Sequence, residues 1–198
     1  IAAGASCTVT EPDPGLADEV AISPDGPFTV GGPEPVEVTV TNTFLAGSLH
    51  VVKERTGDGA ERYGAGPFTV SLACTLPLEG GPVPVDIPGG AERVLNAANG
   101  YEADYEPLPA RAECELSETG TGGANEVRIT DEEGEPGGTF VVEPGVERSF
   151  TVTNVFELGS IEVVKTVTGS GAAAAADRSF TVQLTCVRDD GGEGVQIE

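Results

Sequence analysis

The 198-residue sequence predicts an all-β chain of tandem β-sandwich repeats, one unit complete and two halved. Three observations carry that prediction. Blocks recur at a fixed offset, apolar and polar residues alternate inside each block, and turn-forming residues separate the blocks. Gly47-Ser-Leu-His-Val-Val-Lys53 returns 112 residues later as Gly159-Ser-Ile-Glu-Val-Val-Lys165. Phe68-Thr-Val-Ser-Leu-Ala-Cys74 returns as Phe180-Thr-Val-Gln-Leu-Thr-Cys186, and Val38-Thr-Val-Thr-Asn42-Thr-Phe44 as Phe150-Thr-Val-Thr-Asn154-Val-Phe156, both at the same offset. Cys7-Thr-Val-Thr-Glu11 matches Cys114-Glu-Leu-Ser-Glu118 at an offset of 107, so five residues are inserted between those points.

In chain order, each block reads as a strand because residues two apart lie on one face, and one set in each block is apolar. Cys7–Glu11 opens the series, and Val36–Phe44 closes the first half unit, residues 1–46. The complete unit, 47–157, starts on Gly47–Lys53, continues through Phe68–Cys74 and Cys114–Glu118, and closes on Phe150–Phe156. A further opening half, 158–198, holds Gly159–Lys165 and Phe180–Cys186. Between them, Asp13-Pro-Gly15, Pro24-Asp-Gly26, Gly89-Gly90 and Asp131-Glu-Glu-Gly134 supply turns. The alanine run Ala172–Ala176 is flanked by Gly169 and Gly171 and is read as loop. Several short strands per unit indicate an immunoglobulin-like sandwich. A half unit leaves strand edges unpaired and a core open, so neighbouring sequence or other chains should complete it.

Composition narrows the function. With 33 acids against 10 bases the formal charge is −23, which repels phosphate backbones and anionic membranes. Nucleic acid and membrane contact are therefore not expected. No apolar run approaches the roughly 18 residues that span a bilayer, and no leader or anchor signal is visible. His50 is the one histidine, which leaves no Ser-His triad and few metal sites. No metal or cofactor is expected, and the chain reads as a non-enzyme.

Each unit sets polar residues in line with its core. Leu49, Val51 and Lys53 share a face, as do Ile161, Val163 and Lys165. Cys114, Leu116 and Glu118 follow the same rule, and so do Cys7, Val9 and Glu11. Phe150, Val152, Asn154 and Phe156 point together, matched by Val36, Val38, Val40 and Asn42. Burying a lone Lys or Glu costs several kcal/mol, so the placement needs a partner or a reaction. Desolvation lowers a lysine pKa and raises a glutamate pKa, leaving a neutral amine able to attack the Asn carbonyl while the acid moves protons. Ammonia would leave, and an intramolecular isopeptide bond would remain. The same residues also suit a plainer arrangement, with the lysine reaching solvent at a strand end, Glu118 capping a turn and Asn154 bonding a loop.

With these residues in place the unit resembles the Cna B-type repeats of Gram-positive surface proteins. It is closer still to a Cys-containing, actinobacterial version with Gly-Ser-Leu-x-Val-x-Lys openings and Thr-Asn-Thr-Phe endings. The resemblance implies that Lys53 is the nucleophile, Glu118 the proton shuttle and Asn154 the acceptor. Glu11 and Asn42 would be the acceptor side of an earlier set, and Lys165 the donor side of a later one. Cys114 stands where the family often has Tyr.

Phe68, Val70, Leu72 and Cys74 share a face, so Cys74 and Cys114 both point at the core, which suits a disulfide across the sandwich or a pair of buried thiols. Its 40-residue loop would contribute about 3–4 kcal/mol. Cys7 and Cys186 would then pair outside this stretch or between chains. The clusters Asp131-Glu-Glu-Gly-Glu135 and Glu11-Pro-Asp13 match no calcium loop and read as solvated turns.

The expected function is a structural module of an extracellular, cell-surface stalk or filament, with neighbouring repeats or identical chains as partners. Two alternatives remain. One is an adhesin binding a surface ligand through loops such as Tyr101–Tyr105. The other is a subunit polymerising by completion of half units between chains. Joining residues 1–44 to 159–198 would leave roughly 20 residues of a unit absent, which favours a longer tandem chain.

Overall fold

The computed structural model describes residues 1–175, 177–188 and 195–196. The first half unit holds β1 (Ala5–Cys7), β2 (Glu19–Ser23), β3 (Phe28–Val30) and β4 (Thr39–Thr43). The complete unit holds β5 (Ala46–Thr56), a one-turn helix α1 (Ala60–Tyr63), β6 (Phe68–Leu78), β7 (Gly81–Pro84) and β8 (Glu92–Leu95). It continues, after the 3₁₀ turn Ala97–Asn99, with β9 (Glu102–Pro109), β10 (Glu113–Gly120), β11 (Glu126–Thr130), β12 (Thr139–Val141) and β13 (Glu147–Val155). Beyond it lie a 3₁₀ turn, Ala172–Ala175, and the short pair β14 (Val187–Arg188) and β15 (Val195–Gln196). The alanine run, expected as loop, thus forms one tight helical turn; Ala176 lies outside the described residues. The turn extends no further into the preceding sequence because the flanking glycines Gly169 and Gly171 weaken helix.

Two sheets face each other. One runs β12-β10-β6-β7, with β8 also on β6; the other runs β11-β13-β5-β9. All neighbours are antiparallel except β5 and β13, the first and last strands of the unit, which lie parallel with Lys53 opposite Val152. Inward residues of both sheets form one core, including Leu49, Val51, Val70, Leu72, Leu116 and Val152, each at most 2% exposed. Burial of each such side chain is worth about 1.5–3 kcal/mol. Gly47 shows why the opening motif carries glycine: a Cβ there would stand 2.6 Å from the Glu143 carbonyl and 2.8 Å from that of Val146.

The first half unit repeats part of this plan. β1 pairs with β3 as β10 pairs with β12, and β2 pairs with β4 as β11 pairs with β13. The facing half of a sandwich is not beside it, and its alternating residues stay open: Val36 and Val40 are each 40% exposed. Among the described residues between 157 and 186 there is no strand, and Ile161, Val163 and Phe180 face solvent.

Candidate functional site

Glu118 sits at the last regular pair of β10 on β6, where a bulge follows before Gly120. Lys53 comes from β5 and Asn154 from β13, neighbours in the opposite sheet. Strand alternation that buries Leu49 and Val51 carries Lys53 inward too, and the same holds for Asn154 after Phe150 and Val152. The three residues named from sequence are therefore brought together between the sheets. Lys53 and Glu118 side chains are fully screened from solvent, and Asn154 is fully buried.

Glu118 Oε1 lies 2.8 Å from Lys53 Nζ. The same oxygen accepts a hydrogen bond from Asn154 Nδ2 at 3.2 Å. Nδ2 also donates to the Thr121 carbonyl at 2.8 Å, which turns the amide nitrogen toward the acid and leaves Oδ1 without a donor. Lys53 Nζ is close to the acid but poorly aligned for a hydrogen bond, and Glu118 Oε2 has no partner. Nζ stands over the Phe68 ring, 4.8 Å from its centroid. Burial pushes the Lys53 amine below its ordinary value, against the raising effect of Glu118. Burial likewise pushes the Glu118 carboxyl up, against the lowering effects of Lys53 and Asn154. Both shifts favour the neutral forms.

The flanking residues Glu11, Asn42 and Lys165 hold separate parts of the same arrangement. Asn42 Nδ2 donates to Glu11 Oε1 at 3.0 Å, the counterpart of the Asn154–Glu118 bond. Lys165 Nζ donates to the Thr166 carbonyl and stands over the Phe180 ring at 4.6 Å, the counterpart of Lys53 over Phe68. Thr121, through its carbonyl, and Phe68, through its ring, were not singled out by sequence reasoning. The recurrence of Phe68 as Phe180 is the signal that could have found the second.

Cys74 and Cys114 form a disulfide. They are directly paired residues on β6 and β10, so the bond ties adjacent strands of one sheet and does not cross the sandwich as expected. Inward-facing residues at one register position meet each other before they reach the other sheet. Cys7 and Cys186 are half-buried and unpaired. The aromatic pair offered as an adhesive loop is spent on packing. Tyr105 is fully buried, its hydroxyl donates to the Ala91 carbonyl at 3.0 Å, and burial pushes its phenol up to about 12. Tyr101 donates to the Ala65 carbonyl and lies under the Arg55 guanidinium. At the acidic turn, Asp131 accepts from the Glu133 and Glu135 amides, and Glu132 accepts from Ser149. These carboxylates hold the turn. Among the described residues no helix is long and apolar enough to cross a membrane.

A family model described as Domain of unknown function (DUF5979) matches residues 1–45, 49–157 and 161–198. No curated protein matches the chain. Among solved structures, the major pilin from Streptococcus pyogenes is 15% identical, with 67% of this chain and 54% of the pilin covered at a TM-score of 0.37. The pilus-presented adhesin Spy0125 (Cpa) is 16% identical, with 58% of this chain and 28% of the adhesin covered at 0.38. A bacterial adhesin from Mobiluncus mulieris containing intramolecular disulfide, isopeptide and ester bond cross-links is 19% identical, with 64% and 46% covered at 0.38. The chain spans about half the length of that pilin or less of the adhesins.

Proposed function

We propose, for a chain that belongs to the family described as Domain of unknown function (DUF5979), the role of a structural repeat module in an extracellular, cell-surface stalk or filament. Its repeats are residues 1–46, 47–157 and 158–198, and its complete unit is tied by a Lys53–Asn154 isopeptide bond and the Cys74–Cys114 disulfide. One observation carries the cross-link: a single oxygen, Glu118 Oε1, lies within 2.8 Å of the amine and 3.2 Å of the amide nitrogen that would leave.

The chemistry follows from that placement. Lys53 Nζ, neutral through burial, attacks Asn154 Cγ and forms the new C–N bond. Glu118 gives its proton to Nδ2 and receives one from Nζ, so the Cγ–Nδ2 bond breaks and ammonia leaves. The carboxyl is restored, and the reaction happens once. Holding the groups together replaces a bimolecular encounter, which is worth orders of magnitude in effective concentration. The unlinked site also retains orphaned buried atoms, each costing about 1–3 kcal/mol. Linking removes the titratable amine from that pocket.

The mechanical value lies in where the bond stands. It joins the first strand of the unit to the last, so tension passes from residue 53 to residue 154 and spares the strands between. High negative charge keeps such rods soluble and apart. The test is the intact mass of the non-reduced chain. We expect a deficit of about 17 Da beyond the disulfide hydrogens, for one ammonia lost. It should vanish in Lys53→Ala, Glu118→Ala and Asn154→Ala. A full sequence mass in the wild type would sink the cross-link.

A further inference from the structure

The connection between the first half unit and the complete unit is bracketed from both sides. Leu45 N–H donates to Asp18 Oδ2 at 2.7 Å, while the Leu45 carbonyl accepts from Ala110 N–H at 3.1 Å. One linker residue is thus bonded to both units through its own backbone, and the Ala46 carbonyl accepts from Gly145 N–H. Arg111, on the turn before β10, then reaches back across the junction. Its Nη2 lies 3.1 Å from Asp18 Oδ1, and its Nη1 donates to the Leu16 carbonyl at 3.2 Å. The Asp18 side chain is 9% exposed, so one largely enclosed carboxylate receives the linker on one oxygen and the guanidinium on the other.

The internal repeat supplies the control. Asp18 corresponds to Asn125: each donates its own N–H to the strand end, Thr43 or Val155, and each accepts from the linker, Leu45 or Glu157. Linker capture therefore needs an oxygen at this position but no charge. Arg111 corresponds to Gly4, whose N–H bonds Val30 as that of Arg111 bonds Val142. Both have positive φ, 88° at Gly4 and 67° at Arg111. A position suited to glycine holds arginine where a carboxylate faces it. Backbone strain kept at a contact points to a role for that contact.

We propose that the loop bearing Leu16 and Asp18 is a docking surface for the arginine-bearing turn of the following repeat, and that the Arg111–Asp18 clamp sets the angle between successive units. The surface recognises a guanidinium with a carboxylate and a carbonyl. It does not depend on the Lys53–Asn154 bond. An asparagine there keeps the linker but gives an arginine no counter-charge.

Residual dipolar couplings on the whole chain test this, comparing β1–β4 with β5–β13. In the wild type at low salt both sets fit one alignment tensor. In Arg111→Gly and in Asp18→Asn, which copy residues the repeat already uses at those positions, the alignment of β1–β4 drops about twofold or more while the strands keep their amide shifts. The pair is half exposed on the arginine side, so about 1 M salt should loosen the wild type in the same way and leave Arg111→Gly unchanged. Separate tensors in the wild type would overturn the proposal. So would one shared tensor in both variants, or a wild-type coupling indifferent to salt; the backbone bracket alone would then set the angle.

Discussion

Glu118 with Asn154, and Glu11 with Asn42, are the same two side chains joined by the same hydrogen bond, at 3.2 and 3.0 Å. Their surroundings differ. In the complete unit the neighbouring Val152 and Phe156 are 0% and 1% exposed; in the half unit their counterparts Val40 and Phe44 are 40% and 63% exposed. The acid–amide geometry is thus a property of strands that come with the half unit. The burial that shifts Glu118 comes with β5 and β6, which bring Lys53 and Phe68. The acid–amide pair thus needs only its own strands, and its enclosure needs the rest of the sandwich.

The largest test of that contrast is Asn154→Ala. Besides restoring the full mass, it opens a covalent loop of about 100 residues and should cost about 4–5 kcal/mol, read as the midpoint of urea unfolding. Next comes the disulfide: reduced chain, or Cys74→Ala with Cys114→Ala, should lose about 3–4 kcal/mol in the same assay, less where the cross-link already restrains the larger loop. Val152→Ala should cost about 2 kcal/mol through a core cavity, whereas Val40→Ala should change the main transition by under about 0.5 kcal/mol. Equal costs would mean the half unit is packed as well as the complete one.

Titration sharpens the comparison further. In the unlinked Asn154→Ala chain, the raised Glu118 value means that the folded state holds an extra proton above the ordinary carboxylate range, so stability falls as pH rises through that window. The lowered Lys53 value acts oppositely: the unfolded state holds the extra proton, and stability rises as pH climbs from the lowered value to 10.5. Each limb is bounded by about 1.4 kcal/mol per pH unit. Adding Glu118→Gln should erase the first limb, and the linked wild type should lack the second because an amide does not titrate. The smallest effect is expected for Asn42→Ala, which should leave both the ammonia deficit and the main transition unchanged.

Much of this site was legible because strand alternation is a local rule. Once Leu49 and Val51 point inward, Lys53 must follow, and the 112-residue repeat shows which residues recur with it. Which strands become neighbours is not local. Cys74 and Cys114 were rightly placed inward, yet only the β6–β10 ladder makes them partners within a sheet. Thr121 acts through its carbonyl, which no side-chain pattern encodes. Tyr105 lies in a stretch of acids that reads as exposed loop, but β9 turns Ala103 and Tyr105 toward the core. Asp18 and Asn125 are equivalent through their backbone and linker hydrogen bonds, which no side-chain pattern encodes.

The parallel pairing of β5 with β13 has one more consequence. An antiparallel pair would return the chain to the end where it entered. Here nine matched positions, Ser48 to Thr56 against Glu147 to Val155, run in the same direction, so entry and exit lie at opposite poles of the unit. At about 3.3 Å per residue, each unit advances the chain by roughly 30 Å. In a tandem array of the kind proposed, repeat number would act as a ruler: adding a copy would lengthen it by a fixed step without folding it back.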